Sequence, residues 1–311
     1  MGPQRGCFLS AVRIVVLGGA GMLGHKMFQT LRQGFPGTLC TVRQDLRQPP
    51  LNRVELLRGT DVLSGMDVSD FASLNAVLSA LRPAWIVNCA GVIKQRPEAL
   101  DPLASITINS LLPHKLSQMA GRWGGRVVHF STDCVFSGRR GAYTEADLSD
   151  AEDLYGRTKS LGEIANGNAL TLRTSIIGRE LQGHQSLLDW FLARNQAGIN
   201  EIKGYRRALW SGVTTNHLAR LTASIIERHP GLSGLYQVAS EPLSKYDLLC
   251  LLRDVYRTHA RIEPDDREVS DRTLKCDKLR EAIDYGCPPW QILAREMAED
   301  KTPYEEWLKR E

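Results

Sequence analysis

The stretch from Ile14 to Gly24 reads IVVLGGAGMLG, four apolar residues that run directly into a glycine-rich turn. Gly18, Gly21 and Gly24 recur at a spacing of three, and the alternative register that begins at Gly19 gives G-x-G-x-x-G. Glycines leave no Cβ in the way of a pyrophosphate, and the start of a following helix adds a partial positive charge. The stretch therefore predicts a strand, a phosphate-binding loop and a helix, the opening unit of a dinucleotide-binding fold.

Outward from this stretch, the first half of the chain alternates short β-branched runs with longer segments of helical periodicity. The predicted strands are Val12–Leu17, Leu39–Val42, Trp85–Val87, Val127–Phe130 and Leu170–Arg173, and the predicted helices are Met22–Gln33, Phe71–Leu81, Ile108–Ala120 and Asp153–Ile164. Strands without polar alternation, separated by helices, form a parallel sheet that is covered on both faces. The predicted fold class is therefore α/β, a Rossmann-type doubly wound sheet with its ligands at the carboxyl ends of the strands.

The pattern loosens after about residue 175. The helical segments there are Leu187–Ala197, Leu218–Glu227 and Tyr246–Tyr256, and short strands are predicted near Glu201–Lys203 and Leu235–Val238. We expect residues 12–175 to form an NAD(P)-binding Rossmann domain. Residues 176–311 are interpreted mainly as a smaller C-terminal substrate-binding lobe, partly interleaved with that domain, and residues 1–11 as a ragged N-terminal extension.

The second predicted strand ends in Arg43, nineteen positions after Gly24. An acidic residue about 20 residues past the glycines would bind the 2′-hydroxyl of NAD, whereas a guanidinium suits the 2′-phosphate of NADP. Asp45 lies close by in the sequence and leaves NAD open as the alternative. Arg43 favours NADP, so we expect NADPH to be preferred and NADH to remain usable.

Tyr155 and Lys159 lie four residues apart in a predicted helix, which puts a phenol and an ammonium on one face. Ser131 and Thr132 end the predicted strand upstream of it. When hydride reaches a carbonyl carbon, the resulting alkoxide must collect a proton, and a tyrosine can donate it. We expect Lys159 to lower the pKa of Tyr155 from about 10 toward neutrality, and Thr132 to hydrogen-bond the substrate oxygen.

Taken together, these motifs resemble the extended short-chain dehydrogenases/reductases, and most of all the dTDP-4-dehydrorhamnose reductase branch. The residues that carry the resemblance run in order between residue 12 and about residue 175: Gly18–Gly24, Asp67-Val68, Asn88–Gly91, Ser131–Gly138, Tyr155–Lys159 and Leu172–Ser175. The similarity continues more weakly to the end of the chain. Such enzymes reduce the 4-keto group of a nucleotide-linked 6-deoxyhexose with NADPH or NADH, and the resemblance implies that activity here.

The resemblance also assigns roles to individual residues. It makes Thr132, Tyr155 and Lys159 the catalytic triad, with Lys159 also holding the nicotinamide ribose. It places Asp67 and Val68 along the adenine and passes Cys89, Ala90 and Gly91 beneath the cofactor. The full set that it implies for cofactor binding, with Arg43, is Gly18, Gly21, Met22, Leu23, Gly24, Asp67, Val68, Cys89, Ala90, Gly91, Asn109, Tyr155 and Lys159.

Residues expected to face the substrate come from both halves of the chain. Cys134 stands where these reductases usually have Tyr, and it offers none of the carboxylate that a sugar-nucleotide dehydratase needs there. Lys94 lies in a segment that departs from the family pattern. In the second half, Arg207 is expected to neutralise a diphosphate and Trp210 to stack on a base or sugar. A solvated loop lysine, a packing cysteine and a charged surface turn are the alternative interpretations.

Composition excludes several other classes of protein. The 311 residues are 42% hydrophobic and 24% charged, with 39 Lys+Arg against 35 Asp+Glu. That balance argues against disorder, and the net charge of +4 is too small and too evenly spread for a nucleic-acid or membrane-surface partner. No apolar run approaches the roughly 20 residues of a membrane span. The seven scattered cysteines fit reduced thiols and predict a cytoplasmic protein, and the histidines lack metal-ligand spacing, so no metal is expected.

Two further functions stay open at this point. A nucleotide-sugar epimerase would share the motifs and consume no NADPH overall. A non-catalytic regulatory subunit resembling the β subunit of methionine adenosyltransferase would share the fold and can retain the triad. A homodimer through helices Ile108–Ala120 and Asp153–Ile164 is suggested by relatives, and the sequences of these helices do not decide it.

Overall fold

The fold is a central parallel sheet with three small sheets beside it, seen in a computed structural model that describes residues 13–94, 97–182, 185–199 and 201–307. The N-terminal extension expected for residues 1–11 lies outside the described residues. The strands are β1 (Ile14–Leu17), β2 (Leu39–Val42), β3 (Val62–Ser64), β4 (Trp85–Asn88), β5 (Arg126–Thr132), β6 (Ala169–Thr174), β7 (Ile176–Ile177), β8 (Glu201–Tyr205), β9 (Ala208–Trp210), β10 (Val213–Thr214), β11 (Gly234–Gln237), β12 (Leu243–Ser244), β13 (Arg261–Asp265) and β14 (Ser270–Asp271).

Helices separate most of these strands. They are α1 (Met22–Gly34), α2 (Phe71–Leu81), α3 (Pro102–Ser105), α4 (Leu112–Gly121), α5 (Leu154–Leu161), α6 (Leu187–Gln196), α7 (Thr215–Arg228), α8 (Lys245–Val255), α9 (Asp277–Ile283), α10 (Trp290–Ala298) and α11 (Tyr304–Trp307). In the part of the chain that the structure describes, none of the helices has both the length and the apolar character that crossing a membrane requires.

The central sheet has the strand order β3-β2-β1-β4-β5-β6-β11, and every pair in it is parallel. The winding therefore reverses between β1 and β4, where Leu17 stands opposite Asn88. Both strands are buried along their whole length, as expected for a sheet with helices on both faces. The predicted α/β class with a Rossmann-type doubly wound sheet is confirmed.

Two apolar layers hold the helices on the sheet. On one face, α1 and α7 pack together and bury Met27, Phe28 and Leu31 completely. On the other face, α2 and α4 cover β1 and β4 with side chains such as Leu74 and Leu116. Full burial of an aliphatic or aromatic side chain contributes roughly 1.5–3 kcal/mol, so these layers fix the strand ends on which a ligand site can be built.

The second half of the chain divides its residues between two cores. After β6 the chain leaves the sheet, returns through α7 and β11, and β11 pairs with β6 as the outermost strand. A separate core joins α6, α8 and α10, with Phe191, Leu248 and Trp290 among its buried side chains. The chain thus crosses between the two cores more than once beyond residue 175.

Some elements differ from the sequence prediction. The single helix predicted over Ile108–Ala120 is instead a π-helical stretch, Ile106–Leu111, followed by α4, and α3 directly precedes that stretch. Leu112 N donates to Thr107 O, five residues back, and Pro113 has no N–H to continue the α-helical ladder. Strand β3 was not predicted, because this partly exposed edge strand has only three residues and no run of apolar residues marks it in the sequence.

Gly24 provides a test of how tightly α1 packs against the glycine loop. A Cβ at Gly24 would lie 1.9 Å from the carbonyl oxygen of Gly18, whereas a Cβ at Gly34, in the same helix, would meet nothing within 4 Å. We expect Gly24→Ala to lower the free energy of unfolding by about 1–3 kcal/mol, because the loop must move. Gly34→Ala should leave it unchanged or raise it by up to about 1 kcal/mol. Urea unfolding of both variants measures the difference, and equal effects would contradict the close packing.

Candidate functional site

The glycine loop lies where the winding of the sheet reverses. Gly18 has a φ of +80°, and a Cβ there would lie 3.1 Å from Ala90 Cα. Glycine at this position therefore lets the loop after β1 approach the segment after β4 closely. Helix α1 begins after Gly21 with no capping side chain and no acidic residue in its first turn. Its first amides are therefore available to an anion, which is the arrangement that a dinucleotide diphosphate requires.

A groove runs from this loop along the carboxyl ends of the strands. The predicted cofactor residues that line it are Gly18, Gly21, Arg43, Asp67, Val68, Cys89, Ala90 and Gly91. Lining residues that the sequence interpretation missed include Thr41, Met66, Ile108 and, from the second half of the chain, Gln182. Leu23 and Gly24 are buried in the first turn of α1 next to Met22, where they hold the helix start against the loop. The residues present fit a dinucleotide.

Arg43 and Asp67 meet at the end of the groove expected for the adenosine ribose. Asp67 accepts hydrogen bonds from Ser69 N at 2.8 Å and Ser69 Oγ at 2.7 Å, which together with the nearby Arg43 lower its pKa. The other acid considered for this position, Asp45, is held by the guanidinium of Arg47 at 2.9–3.1 Å. The carboxylate of Asp45 is thus already engaged by a neighbouring cation.

Asn109 has a different place from the other predicted cofactor residues. Its amide exchanges two hydrogen bonds with the backbone of Val92, accepting from N at 2.9 Å and donating to O at 3.1 Å. It also donates to Thr158 Oγ1 at 3.3 Å. Through these bonds Asn109 fixes the segment after Gly91 to α5. Its side chain is 1% exposed and does not line the groove.

Of the three predicted catalytic residues, Thr132 and Tyr155 contact each other, and Lys159 lies near Cys89, a lining residue of the groove. Thr132 is the last residue of β5, and its Oγ1 accepts from Cys134 N at 3.1 Å and interacts with the Tyr155 hydroxyl. Helix α5 approaches this turn at Gly156, where a Cβ would lie 2.2 Å from Cys134 O. The sequence interpretation missed Gly156, although this glycine lets α5 bring Tyr155 against Thr132.

Lys159 lies one helical turn beyond Tyr155 and points into the protein. It is 6% exposed, and its Nζ donates to the carbonyl oxygen of Phe130 at 2.5 Å. Burial lowers its pKa to about 8, while Glu163 and Cys89 act in the opposite direction. At neutral pH the ammonium form therefore still predominates.

The predicted effect of Lys159 on Tyr155 is wrong. Burial raises the pKa of Tyr155 above its usual value, the nearby Cys134 and Asp133 raise it further, and the interaction with Thr132 lowers it only in part. Because the Lys159 ammonium is directed at Phe130 O, desolvation of the phenolate dominates. Tyr155 therefore stays protonated at neutral pH, the form that a proton donor must have.

Lys94 and Cys134 both lie beside Tyr155. Lys94 Nζ forms an ion pair with Asp153 and lies 5.5 Å from the centre of the Tyr155 ring. Burial raises the pKa of Cys134 to about 11, with Asp133 as the next cause, so its sulfur is a neutral thiol at this edge of the site.

Lys245 and Arg272, two cations of the second half, reach the same end of the site and were not predicted. Lys245 faces Asp133, and burial lowers the pKa of Lys245 to about 8. Arg272 donates to Phe136 O at 3.0 Å and Ser137 O at 3.2 Å, which places its charge near Asp133 and Cys134. Both residues lie far from the catalytic residues in the sequence, and no local motif marks them.

Trp210 and Arg207 do not form the substrate wall that was expected. Trp210 is 3% exposed, with Lys245 Nζ 3.8 Å from its ring centre and Trp290 at 5.4 Å, so it has no open face for stacking. Arg207 is exposed in the turn between β8 and β9, beside Arg206, whose guanidinium pairs with Asp266. Asp266, which is distant in the sequence, thus offsets the positive charge of Arg206.

Within the ranges that the structure describes, no group of three or more His, Cys, Asp or Glu side chains is arranged to hold a metal ion.

Comparisons with known proteins agree with this architecture. A family model described as the RmlD substrate binding domain matches residues 12–301. The methionine adenosyltransferase 2 subunit beta of Mus musculus is 24% identical over 289 residues, 86% of this chain and 81% of that protein. A dTDP-4-keto-6-deoxy-D-glucose reductase of Streptomyces niveus is 31% identical over 154 residues, 49% of this chain and 46% of the reductase. The crystal structure of dTDP-4-dehydrorhamnose reductase from Bacillus anthracis in complex with NADP shares the fold, with a TM-score of 0.76, 17% identity and coverage of 92% of this chain and 98% of that chain.

Lys159→Met is expected to stabilise the protein at pH 7. Because the pKa of Lys159 is about 8 in the folded chain and about 10.4 when unfolded, the folded state bears a cost of at most roughly 3 kcal/mol below pH 8. Loss of the bond to Phe130 O offsets about 1–2 kcal/mol, so the free energy of unfolding should rise by about 1–2 kcal/mol. The gain should shrink between pH 8 and pH 10, where wild-type stability itself rises.

Lys26→Met is the matched control for this prediction. Lys26 is similarly buried and its pKa is also lowered by burial, but its ammonium is paired with Asp300 at 2.5 Å. Its removal leaves a carboxylate without its cation and should destabilise the protein at the same pH. A comparable loss of stability in both variants, measured by urea unfolding at pH 7, would contradict the cost assigned to Lys159.

Proposed function

The chain belongs to the RmlD substrate binding domain family, as its motifs predicted, and from that premise we propose that it is an NADPH-dependent reductase. Its proposed substrate is the 4-keto group of a nucleotide-linked (6-deoxy)hexose. The observation that carries the proposal is a protonated, buried Tyr155 against Thr132, on the same helix as Lys159, which lies near the lining residue Cys89 of a groove shaped for a dinucleotide.

In the proposed mechanism, a bound NADPH supplies the hydride, and the protein orients the carbonyl and supplies the proton. Thr132 Oγ1 and the Tyr155 hydroxyl both donate to the substrate oxygen, which aligns the carbonyl and favours charge development on that oxygen. Tyr155 then transfers its proton, since an alkoxide is a stronger base than a phenolate even when burial raises the phenol pKa. The Lys159 ammonium donates to Phe130 O and keeps its charge at neutral pH; from one helical turn away, that charge is proposed to favour the phenolate only after the proton has left.

NADPH is the proposed cofactor on the strength of Arg43. Its guanidinium lies at the ribose end of the groove, and a 2′-phosphate would find a bidentate donor there. Asp45, the group that would instead favour NADH, is engaged by Arg47. The Bacillus anthracis structure, which matches 92% of this chain, is a complex with NADP and supports the same choice.

The substrate is proposed to bind between the two halves of the chain. Lys94 reaches the catalytic end from the first half, and Lys245 and Arg272 reach it from the second. Lys245 and Arg272 face Asp133, while Lys94 is paired with Asp153 and lies near Cys134. Cations so placed suit the diphosphate and hydroxyl groups of a nucleotide sugar. On this basis residues 176–311 are proposed to contribute the main part of the substrate lobe, with Lys245 and Arg272 in place of Trp210.

The test is NADPH oxidation by the purified chain with a panel of nucleotide 4-keto-6-deoxysugars. We expect turnover with at least one of them and a preference for NADPH over NADH. Tyr155→Phe should lower kcat by about 10²–10⁴-fold, because the alkoxide loses its proton donor.

The control is Tyr256→Phe, which removes a hydroxyl that donates to Met297 O, away from the site. Normal kcat in folded Tyr155→Phe would remove the assigned role. Conversion of a sugar without net loss of NADPH would instead support an epimerase.

A regulatory subunit is the second function that a specific observation favours. The mouse relative, 24% identical over 86% of this chain, is a methionine adenosyltransferase subunit. A regulatory subunit requires no turnover. Two results together would support this function: wild type and Tyr155→Phe bind a methionine adenosyltransferase catalytic subunit equally well, and wild type oxidises no NADPH.

A homodimer completes the proposal. Four apolar side chains are exposed here: Leu100 just before α3 (85%), Leu103 within α3 (75%), Ile106 in the π-helical stretch (45%) and Leu161 at the end of α5 (66%). The segments that carry them pack against one another, which brings these side chains to one face. Light scattering should give twice the mass of the 34.6 kDa chain. Leu161→Glu should return it to one chain, whereas Val269→Glu, exposed beside β14, should not. A single-chain mass for wild type at micromolar concentration would end this part of the proposal.

A further inference from the structure

A buried ion pair lies directly behind the catalytic residues. Glu163 Oε1 accepts from Ser131 Oγ at 2.6 Å and Arg173 Nε at 2.8 Å, and Oε2 accepts from Arg173 Nη2 at 2.6 Å. The Arg173 side chain is 3% exposed and that of Glu163 is 10% exposed. The guanidinium also lies 4.9 Å from the ring centre of Phe136, in the turn that follows Thr132.

This carboxylate connects the two elements that carry the catalytic groups. Ser131, one of its donors, immediately precedes Thr132 at the end of β5. Glu163 itself follows the end of α5, four residues after Lys159 and eight after Tyr155. One side chain therefore ties the strand end that bears Thr132 to the helix that bears Tyr155 and Lys159.

Glu163 also lies close to the Lys159 ammonium, because Glu163 Oε1 accepts from Ser131 Oγ and Lys159 Nζ donates to the carbonyl oxygen of Phe130, the adjacent residue of β5. The other titratable groups near Lys159 are Cys89, from the segment after β4, and His129 from β5, and Tyr155 lies one helical turn earlier in α5. Burial keeps the thiol, the imidazole and the phenol neutral, since it raises the pKa of Cys89 and Tyr155 and lowers that of His129. Among these described groups the negative charge near Lys159 comes from Glu163, which opposes the effect of burial.

A buried Arg–Glu pair is weak evidence for stability, because desolvation of both charges consumes most of their attraction. The pair in this chain nevertheless sits within one helical turn of the catalytic lysine. A role in positioning and charge accounts for its location better than a role in holding the fold together.

We propose that Glu163, held by Arg173, is a positioning residue that locks Thr132 to the Tyr155–Lys159 helix and keeps the Lys159 ammonium charged. The proposal deepens the proposed reductase function and rests on it for its catalytic consequence. The electrostatic consequence concerns the folded protein itself and can be measured without any substrate.

The direct experiment is NMR titration of Lys159 in protein labelled with ¹³C-lysine, with the signal assigned by its loss in Lys159→Met. In wild type the midpoint should lie near pH 8. Glu163→Gln removes the charge and keeps an amide, and should lower the midpoint by one pH unit or more. In the reductase assay, the fall of kcat at alkaline pH should move to lower pH by the same amount, with KM little changed.

Asp189→Asn is the matched control, since Asp189 is a buried carboxylate paired with Arg179 at 2.6 Å in another part of the fold. It should leave both the Lys159 midpoint and the pH profile unchanged. Glu163→Asp retains the charge, so the Lys159 midpoint in this variant should stay close to its wild-type value. Glu163→Gln/Arg173→Met removes both charges together and serves where Glu163→Gln alone does not fold.

The outcomes separate this proposal from the proposed function. A Lys159 midpoint in Glu163→Gln within 0.3 pH unit of wild type (about a third of the expected shift) overturns it, as does an equal shift in Asp189→Asn. Absence of NADPH oxidation by wild type would overturn the reductase function, while the NMR midpoint would still decide whether Glu163 controls Lys159.

Discussion

The pairing of β1 with β4 is the constraint on which the rest of the molecule depends. These two central strands are buried at every position and lead the chain in opposite directions across the sheet. Between their carboxyl ends no helix can cover the sheet, so an opening is left there. The opening is narrow, because a Cβ at Gly18 would lie only 3.1 Å from Ala90 Cα. The groove, the free start of α1 and the catalytic turn after β5 all border that opening.

Low polarity at the catalytic end decides the protonation of its groups. Tyr155, Cys134 and Cys89 are all held neutral by burial, and Lys159 is brought to a pKa of about 8. The same desolvation that costs stability strengthens every interaction with a developing charge. A tyrosine that stays protonated until an alkoxide forms suits reduction, whereas a tyrosine with a strongly lowered pKa would suit the reverse reaction.

The sequence predicted those parts of the site that depend on local chain geometry. The loop at Gly18–Gly24 and the i, i+4 pair of Tyr155 and Lys159 could be read from spacing, because a turn or a single helix sets the geometry. Lys245 and Arg272 could not, since only tertiary packing brings them beside Asp133. The pKa direction of Tyr155 was also missed, because spacing does not tell where a lysine head group points or how deeply a phenol is buried.

The two halves of the chain contribute unequally to the two ends of the groove. At the dinucleotide end the lining comes from the first half apart from Gln182, and Arg43 and Asp67 both follow strands of the central sheet. At the catalytic end, cations from α8 and from the segment after β14 face an acid of the first half. The residues proposed to bind the cofactor therefore come from a different part of the chain than the cations Lys245 and Arg272, which are proposed to face the substrate. For the proposed reductase, substitutions in the second half are therefore expected to alter which sugar is bound while the dinucleotide groove and the Thr132 end of β5 keep their geometry.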